Sequence, residues 1–117
     1  MAVLKKIDGT VVATDVELAD SFLKMTLGLM FRKSIAPGYA LVFDMHREQY
    51  IGIHMVFVPF SIDLVYLDRE KRIVDIKHRL RAWIGLAYPK KRARYAIEMP
   101  AGTAAAHGLK EGDVLEW

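Results

Sequence analysis

The 117-residue chain contains no cysteine and no asparagine, and Gln49 is its one glutamine. Without cysteine there is no disulfide, no thiolate nucleophile and no cysteine-held zinc or iron–sulfur cluster, so a metal would have to be held by His, Asp and Glu. The near-absence of side-chain amides beside 26% charged residues is the composition expected where thermolabile residues are avoided, and it predicts a thermophilic source. Long apolar runs are missing too. The stretch from Tyr50 to Ile62 lacks a charged residue but is short and broken by Pro59, so no membrane span and no membrane partner are predicted. The opening Met-Ala-Val-Leu-Lys-Lys-Ile-Asp has no basic region ahead of an apolar one and no cleavage signal, which predicts a cytoplasmic protein.

What is present is a core-forming composition. Hydrophobic residues make up 53% of the chain, and four Pro and eight Gly leave little room for disorder, so residues 1–117 are expected to form a single domain. Val3 to Ile7 and Thr10 to Leu18 flank Asp8-Gly9, a dipeptide suited to a two-residue hairpin turn. Asp20 precedes an amphipathic stretch and can cap a helix of two to three turns. The stretch ends in Gly28-Leu29-Met30-Phe31-Arg32, an apolar anchor bracketed by a glycine and an arginine. Gly28 either caps that helix or admits a close backbone approach.

Tyr39 to Phe43 is predicted as a strand, Asp44 to Gln49 as a solvent-facing connection, and Ile51 to Val58 as a central strand covered on both faces. Ile62 to Asp68 returns as a second buried strand, and Arg72 to Lys77 follows as a partly exposed one. Lys77 to Pro89 has no clean period and is expected to be a long loop anchored by Trp83 and Tyr88. Arg94 to Met99 is a strand, Pro100-Ala101-Gly102 opens a helical turn through Ala106 with Gly108 as its C-cap, and Val114 to Trp117 closes the chain as a strand.

Several segments together resemble one family, the conserved domain of unknown function numbered 192. They are Leu18-Ala19-Asp20, Gly28 to Arg32, Gly38 to Phe43, His54-Met55, Ile62-Asp63 with Tyr66 to Asp68, Glu98 to Gly102, and Gly112-Asp113. The resemblance implies a mainly β (α+β) fold, a compact sandwich or barrel-like domain with one or two short helices, and it brings no activity and no cofactor with it. Where many similar proteins have Trp-Met-Lys-Asn, this chain has His54-Met55-Val56-Phe57, a form that looks like the archaeal branch. A role resting on that Lys and Asn does not carry over.

Four side chains stand out as ligand-binding candidates: Arg32, His54, Asp63 and Glu98. Asp63 and Glu98 are carboxylates in apolar strands, and a buried carboxylate needs a partner. Arg32 is the partner predicted for Asp63, either as a structural tie or as part of a site. His54 is either a satisfied interior histidine or an acid/base group or metal ligand. It falls on the same face as Asp63 if Pro59-Phe60 alone make the turn, and on the other if Ser61 joins them. No nucleophile elbow, phosphate loop or metal motif is present, so no reaction class and no metal is indicated.

The charge is polarised. Residues 69–94 carry ten Lys/Arg against Glu70 and Asp75, a net +8, while the rest of the chain carries −5. Within it, Lys77, Arg79 and Arg81 form one cluster and Lys90, Lys91, Arg92 and Arg94 another, with Trp83 and Tyr88 between them. This is either a solvated basic loop with a buried Trp83 or a surface for single-stranded nucleic acid. The leading expectation is therefore a small module binding a polar or anionic ligand, with nucleic-acid association and a His/Asp/Glu hydrolase as alternatives.

Overall fold

The computed structural model describes residues 3–19 and 27–117. Ten strands succeed one another: β1 (Leu4–Lys6), β2 (Val11–Ala13), β3 (Asp15–Ala19), β4 (Tyr39–Gln49), β5 (Ile53–His54), β6 (Ile62–Leu67), β7 (Ile73–Leu80), β8 (Leu86–Ala87), β9 (Ala93–Pro100) and β10 (Leu115–Glu116). One short helix, α1 (Thr103–Ala106), lies between β9 and β10. The principal sheet has the order β3-β4-β9-β6-β7, a three-stranded sheet runs β10-β1-β2, and β5 pairs with β8 as a ribbon. The β3–β4 pair is parallel and the other ladders are antiparallel. The fold is thus mainly β, as expected, without a closed barrel.

Each face of the principal sheet carries its own core. Val42, Val65 and Ile97 pack with Leu4, Val12 and Leu115 of the three-stranded sheet. On the opposite face Leu41, Phe43, Leu64 and Tyr66 pack beneath Leu29, Ile51, Met55 and Val58, which come from loops. β6 is buried at all six positions because both of its faces are covered. The Tyr66 hydroxyl donates to the carbonyls of Ile51 (2.9 Å) and Ala87 (3.2 Å), pinning the loop before β5 and the end of β8 onto the sheet.

The hairpin forms at Asp8-Gly9, with Gly9 at φ +96° and β1 and β2 on either side, but three residues rather than two make the turn: the Lys6 N–H donates to the Thr10 carbonyl and the Gly9 N–H to the Lys6 carbonyl, so Ile7 belongs to the connection. The second arm divides after Ala13, however, and β3 leaves to join the principal sheet. The helix predicted from Asp20 falls on residues outside those described. Three further expectations are corrected. Asp44 to Gln49 is not a connection but the irregular end of β4, bent at His46 with φ +63°. Ile51 to Val58 is not a central strand. Its buried residues Ile51, Met55 and Val58 are spaced by four and three, and a Met55–Val58 turn folds the segment as a cover over the core. Lys77 to Pro89 is shorter as a loop than predicted, because β7 continues to Leu80 and β8 follows. The helical turn after Gly102 forms, and Gly108 follows it at φ +60°.

Candidate functional site

The sheet separates the two anomalous carboxylates. Glu98 on β9 is in register with Leu41 on one side and Leu64 on the other, so it shares the face on which the loops fold over. Asp63 is one residue before Leu64 on β6 and faces the other core. Asp63, completely buried, receives three backbone N–H groups: Arg79 donates to Oδ1 at 2.9 Å, and Gly102 and Ala104 donate to Oδ2 at 3.1 and 2.9 Å. Gly102 occupies the N-cap of α1 and has no side chain to offer, so Asp63 supplies the cap from a distant strand.

Arg32 is therefore not the partner of Asp63. Its guanidinium pairs with Glu17 of β3 at 3.1 Å and lies over the Tyr39 ring, 5.1 Å from the centroid. The Arg32 charge does reach Glu98, where it works against burial. Desolvation of the fully enclosed carboxyl is the larger effect and pushes its pKa up to about 8, so the side chain is mostly protonated at neutral pH.

Glu98 lies in the wall of a cavity of about 240 Å³ between the sheet and the loops, with Gly28, Phe43, Ile51, His54 and Val58 among its lining residues. Glu98 Oε1 is buried without a hydrogen-bond partner among the described residues, as is the Tyr39 hydroxyl. Burial pushes the Tyr39 hydroxyl up to about 12, so it remains a neutral phenol. Gly28 keeps space beside the carboxyl. It sits at φ +50°, and a Cβ there would come within 3.3 Å of the Phe43 ring and 3.6 Å of Glu98 Oε1. Among the described residues no backbone comes close at Gly28; its left-handed φ directly after the helical Leu27 is that of a residue ending a helix, the C-cap alternative.

His54 lines the same cavity, but its side chain is exposed and its Nδ1 accepts the Val56 N–H at 3.2 Å. Of the four candidates, Glu98 and His54 meet in one cavity, Arg32 acts on Glu98 electrostatically, and Asp63 is elsewhere. The pocket thus offers one neutral carboxyl that can donate and accept a hydrogen bond, an imidazole at an accessible position, and an otherwise largely apolar wall. Among the described residues no three His, Asp or Glu side chains come together as metal ligands.

The basic segment is dispersed by the fold. Lys77 pairs with Asp75 at 3.0 Å, Lys90 with Glu111, and Arg94 holds both oxygens of Asp44 at 2.9 and 3.1 Å. Arg92 lies over Tyr50, and Lys91 is exposed. Arg79 and Arg81 are exposed at and just beyond the end of β7. Trp83 and Tyr88 are not buried anchors: they are 54% and 58% exposed. Sequence reasoning missed Tyr66, which holds the cavity's cover in place, and Tyr39 with Glu17, which fix Arg32. A tyrosine inside a strand buried on both faces was the available signal for Tyr66, since a buried hydroxyl needs a partner.

A family model described as uncharacterised ACR, DUF192, matches residues 3–117. The UPF0127 protein of Pyrococcus horikoshii is 44% identical over 105 residues, which cover 88% of this chain and 87% of that protein. The UPF0127 protein of Thermococcus gammatolerans is 35% identical over 115 residues, covering 98% and 74%. Among solved structures, a protein of unknown function from Novosphingobium aromaticivorans superimposes with a TM-score of 0.85 at 20% identity, covering 98% of this chain and 82% of its own. A Sinorhizobium meliloti protein, named a candidate transcription regulator, gives a TM-score of 0.86 at 24% identity, covering 97% and 89%. At these identities the two structures show a common fold. No helix among the described residues is long and apolar enough to cross a membrane.

Proposed function

Because the chain belongs to the uncharacterised DUF192 family, its role has to be read from its own cavity, and we propose that it is a binding module for a small ligand with an apolar body and one uncharged polar head. The observation that carries this reading is the Oε1 of Glu98, buried in the wall of the cavity with no hydrogen-bond partner among the described residues. A carboxyl in such a place costs stability that an apolar residue would not, and residues of that kind are retained where a ligand uses them. A neutral carboxyl can exchange two hydrogen bonds with an amide or an alcohol head, while the apolar wall accepts the rest of the molecule. A cationic head is disfavoured by Arg32, and an anionic one by any ionised fraction of Glu98. The cavity, about 240 Å³, is below the range of about 300–1,000 Å³ typical for drug-sized ligands, which points to a small molecule.

The test is a panel of short-chain amides and alcohols, with short-chain carboxylates as the disfavoured control, followed by backbone amide shifts in NMR. Binding should move Gly28, Gly52 and His54 together, survive Glu98→Gln, and be lost in Glu98→Leu. Equal binding by Glu98→Leu, or shifts confined to other parts of the chain, would overturn the proposal.

A further inference from the structure

Three aromatic residues from three separate loops meet at the surface. Phe31 and Phe57 stack with centroids 5.0 Å apart and planes 23° from parallel, and Trp83 meets Phe57 edge-on at 6.4 Å. They are 69%, 46% and 54% exposed. All three have left-handed backbone, with φ of +68°, +60° and +67°. That conformation is disfavoured for a bulky side chain and recurs where surrounding structure enforces it for a purpose.

The enforcing contacts are backbone hydrogen bonds. The Phe31 N–H donates to the Phe57 carbonyl at 2.9 Å, and the Trp83 N–H donates to the Val58 carbonyl at 3.0 Å. Gly85 lets the Trp83 loop close, because a Cβ there would collide with the Arg81 carbonyl and Met55. The rings are thus held in a fixed arrangement instead of being folded inward.

We infer that Phe31, Phe57 and Trp83 form a stacking platform for single-stranded nucleic acid, a surface distinct from the Glu98 cavity. Charge selects this occupant. Arg81, exposed just beyond the end of β7, leads directly into Trp83, and Lys33 is exposed two residues beyond Phe31. Bases stack on open ring faces irrespective of sequence, and phosphates follow the cations. Lys90 and Arg94 of the second basic cluster take no part, since they are paired with Glu111 and Asp44.

The experiment uses Trp117→Phe, so that tryptophan emission comes from Trp83 alone, titrated with a twenty-nucleotide oligothymidylate. The platform predicts quenching, an affinity that falls linearly in log–log form with salt, and loss of about one unit of that slope in Arg81→Ser. Phe31→Gly removes a ring and also relaxes the left-handed backbone. It should retain or raise the melting temperature while weakening binding roughly fivefold to a hundredfold. Absence of quenching at low salt overturns the proposal, as does unchanged affinity in Phe31→Gly. Quenching by phosphatidylserine vesicles but not by the oligonucleotide, or Phe31-dependent dimerisation without oligonucleotide binding, would assign the rings to lipid or to a second copy of the chain and likewise overturn it.

Discussion

Glu98 and Asp63 look alike in the sequence, each a carboxylate between apolar neighbours, and the fold gives them opposite fates. Asp63 accepts three backbone N–H groups, whereas Glu98 keeps an oxygen without a partner among the described residues. The pH dependence of stability should report the difference. Glu98 ionises near its ordinary value, about 4.3, in the unfolded chain and near 8 when folded. Between those values the folded state holds a proton that the unfolded state has released, so the Glu98 contribution is complete below the lower value and is lost as pH rises through the upper one. Stability of the natural chain relative to Glu98→Gln should therefore fall by up to about 1.4 kcal/mol per pH unit across that window. Urea unfolding of both proteins through the window checks it, and parallel curves would refute the buried, protonated carboxyl. For Asp63, replacement by Ala strands buried donors and should cost about 3 kcal/mol or more. Arg32→Met, which breaks a partly exposed pair with Glu17, should cost under about 1 kcal/mol. Coupling between positions 32 and 63 should be near zero in a double-mutant cycle, which retires the pairing that the sequence suggested.

At the scale of elements, what was legible depended on whether local pattern or distant packing decided the outcome. The Asp8-Gly9 hairpin, the buried β6 and the turn of α1 follow from local signals: a turn dipeptide, an apolar run interrupted by Asp63 alone, and glycines at both ends of a short helix. Ile51 to Val58 misled because its alternation was as apolar as a strand's, yet no edge of the principal sheet was free to take it beside β6, where β7 and β9 already pair. It became a cover held by Tyr66 instead. Tyr66→Phe should then cost about 1 to 2 kcal/mol. It should also speed amide exchange through residues 51–58 and at Ala87 more than in β6 itself, measurable by hydrogen exchange. Gly28 belongs to the same argument. Gly28→Ala adds a methyl against Phe43 in a backbone conformation that disfavours it, so it should lower stability by about 1 kcal/mol or more and reduce ligand binding in the cavity.

For the whole molecule, the separation of charge along the chain is offset in part by folding. Arg94 and Lys90 of the basic segment reach Asp44 and Glu111 outside it, and Lys5 and Lys6 meet Glu116 and Asp113 from the other end of the chain. No local pattern in the sequence reveals which cations will be matched, because the partners lie 21 to 111 residues away. Ion pairs gain weight as temperature rises, and the archaeal relatives from Pyrococcus and Thermococcus agree with a composition poor in amides. The unfolding midpoint should accordingly exceed the mesophilic range of about 45 to 65 °C. The individual surface pairs contribute little to it. Replacing Lys90, Lys91 and Arg92 together with Ser removes the exposed pair to Glu111 and the contact over Tyr50, both screened by solvent, so calorimetry should find the midpoint nearly unchanged. A collapse of the midpoint in that variant would mean that the second basic cluster is a structural part of the fold rather than a solvated face of it.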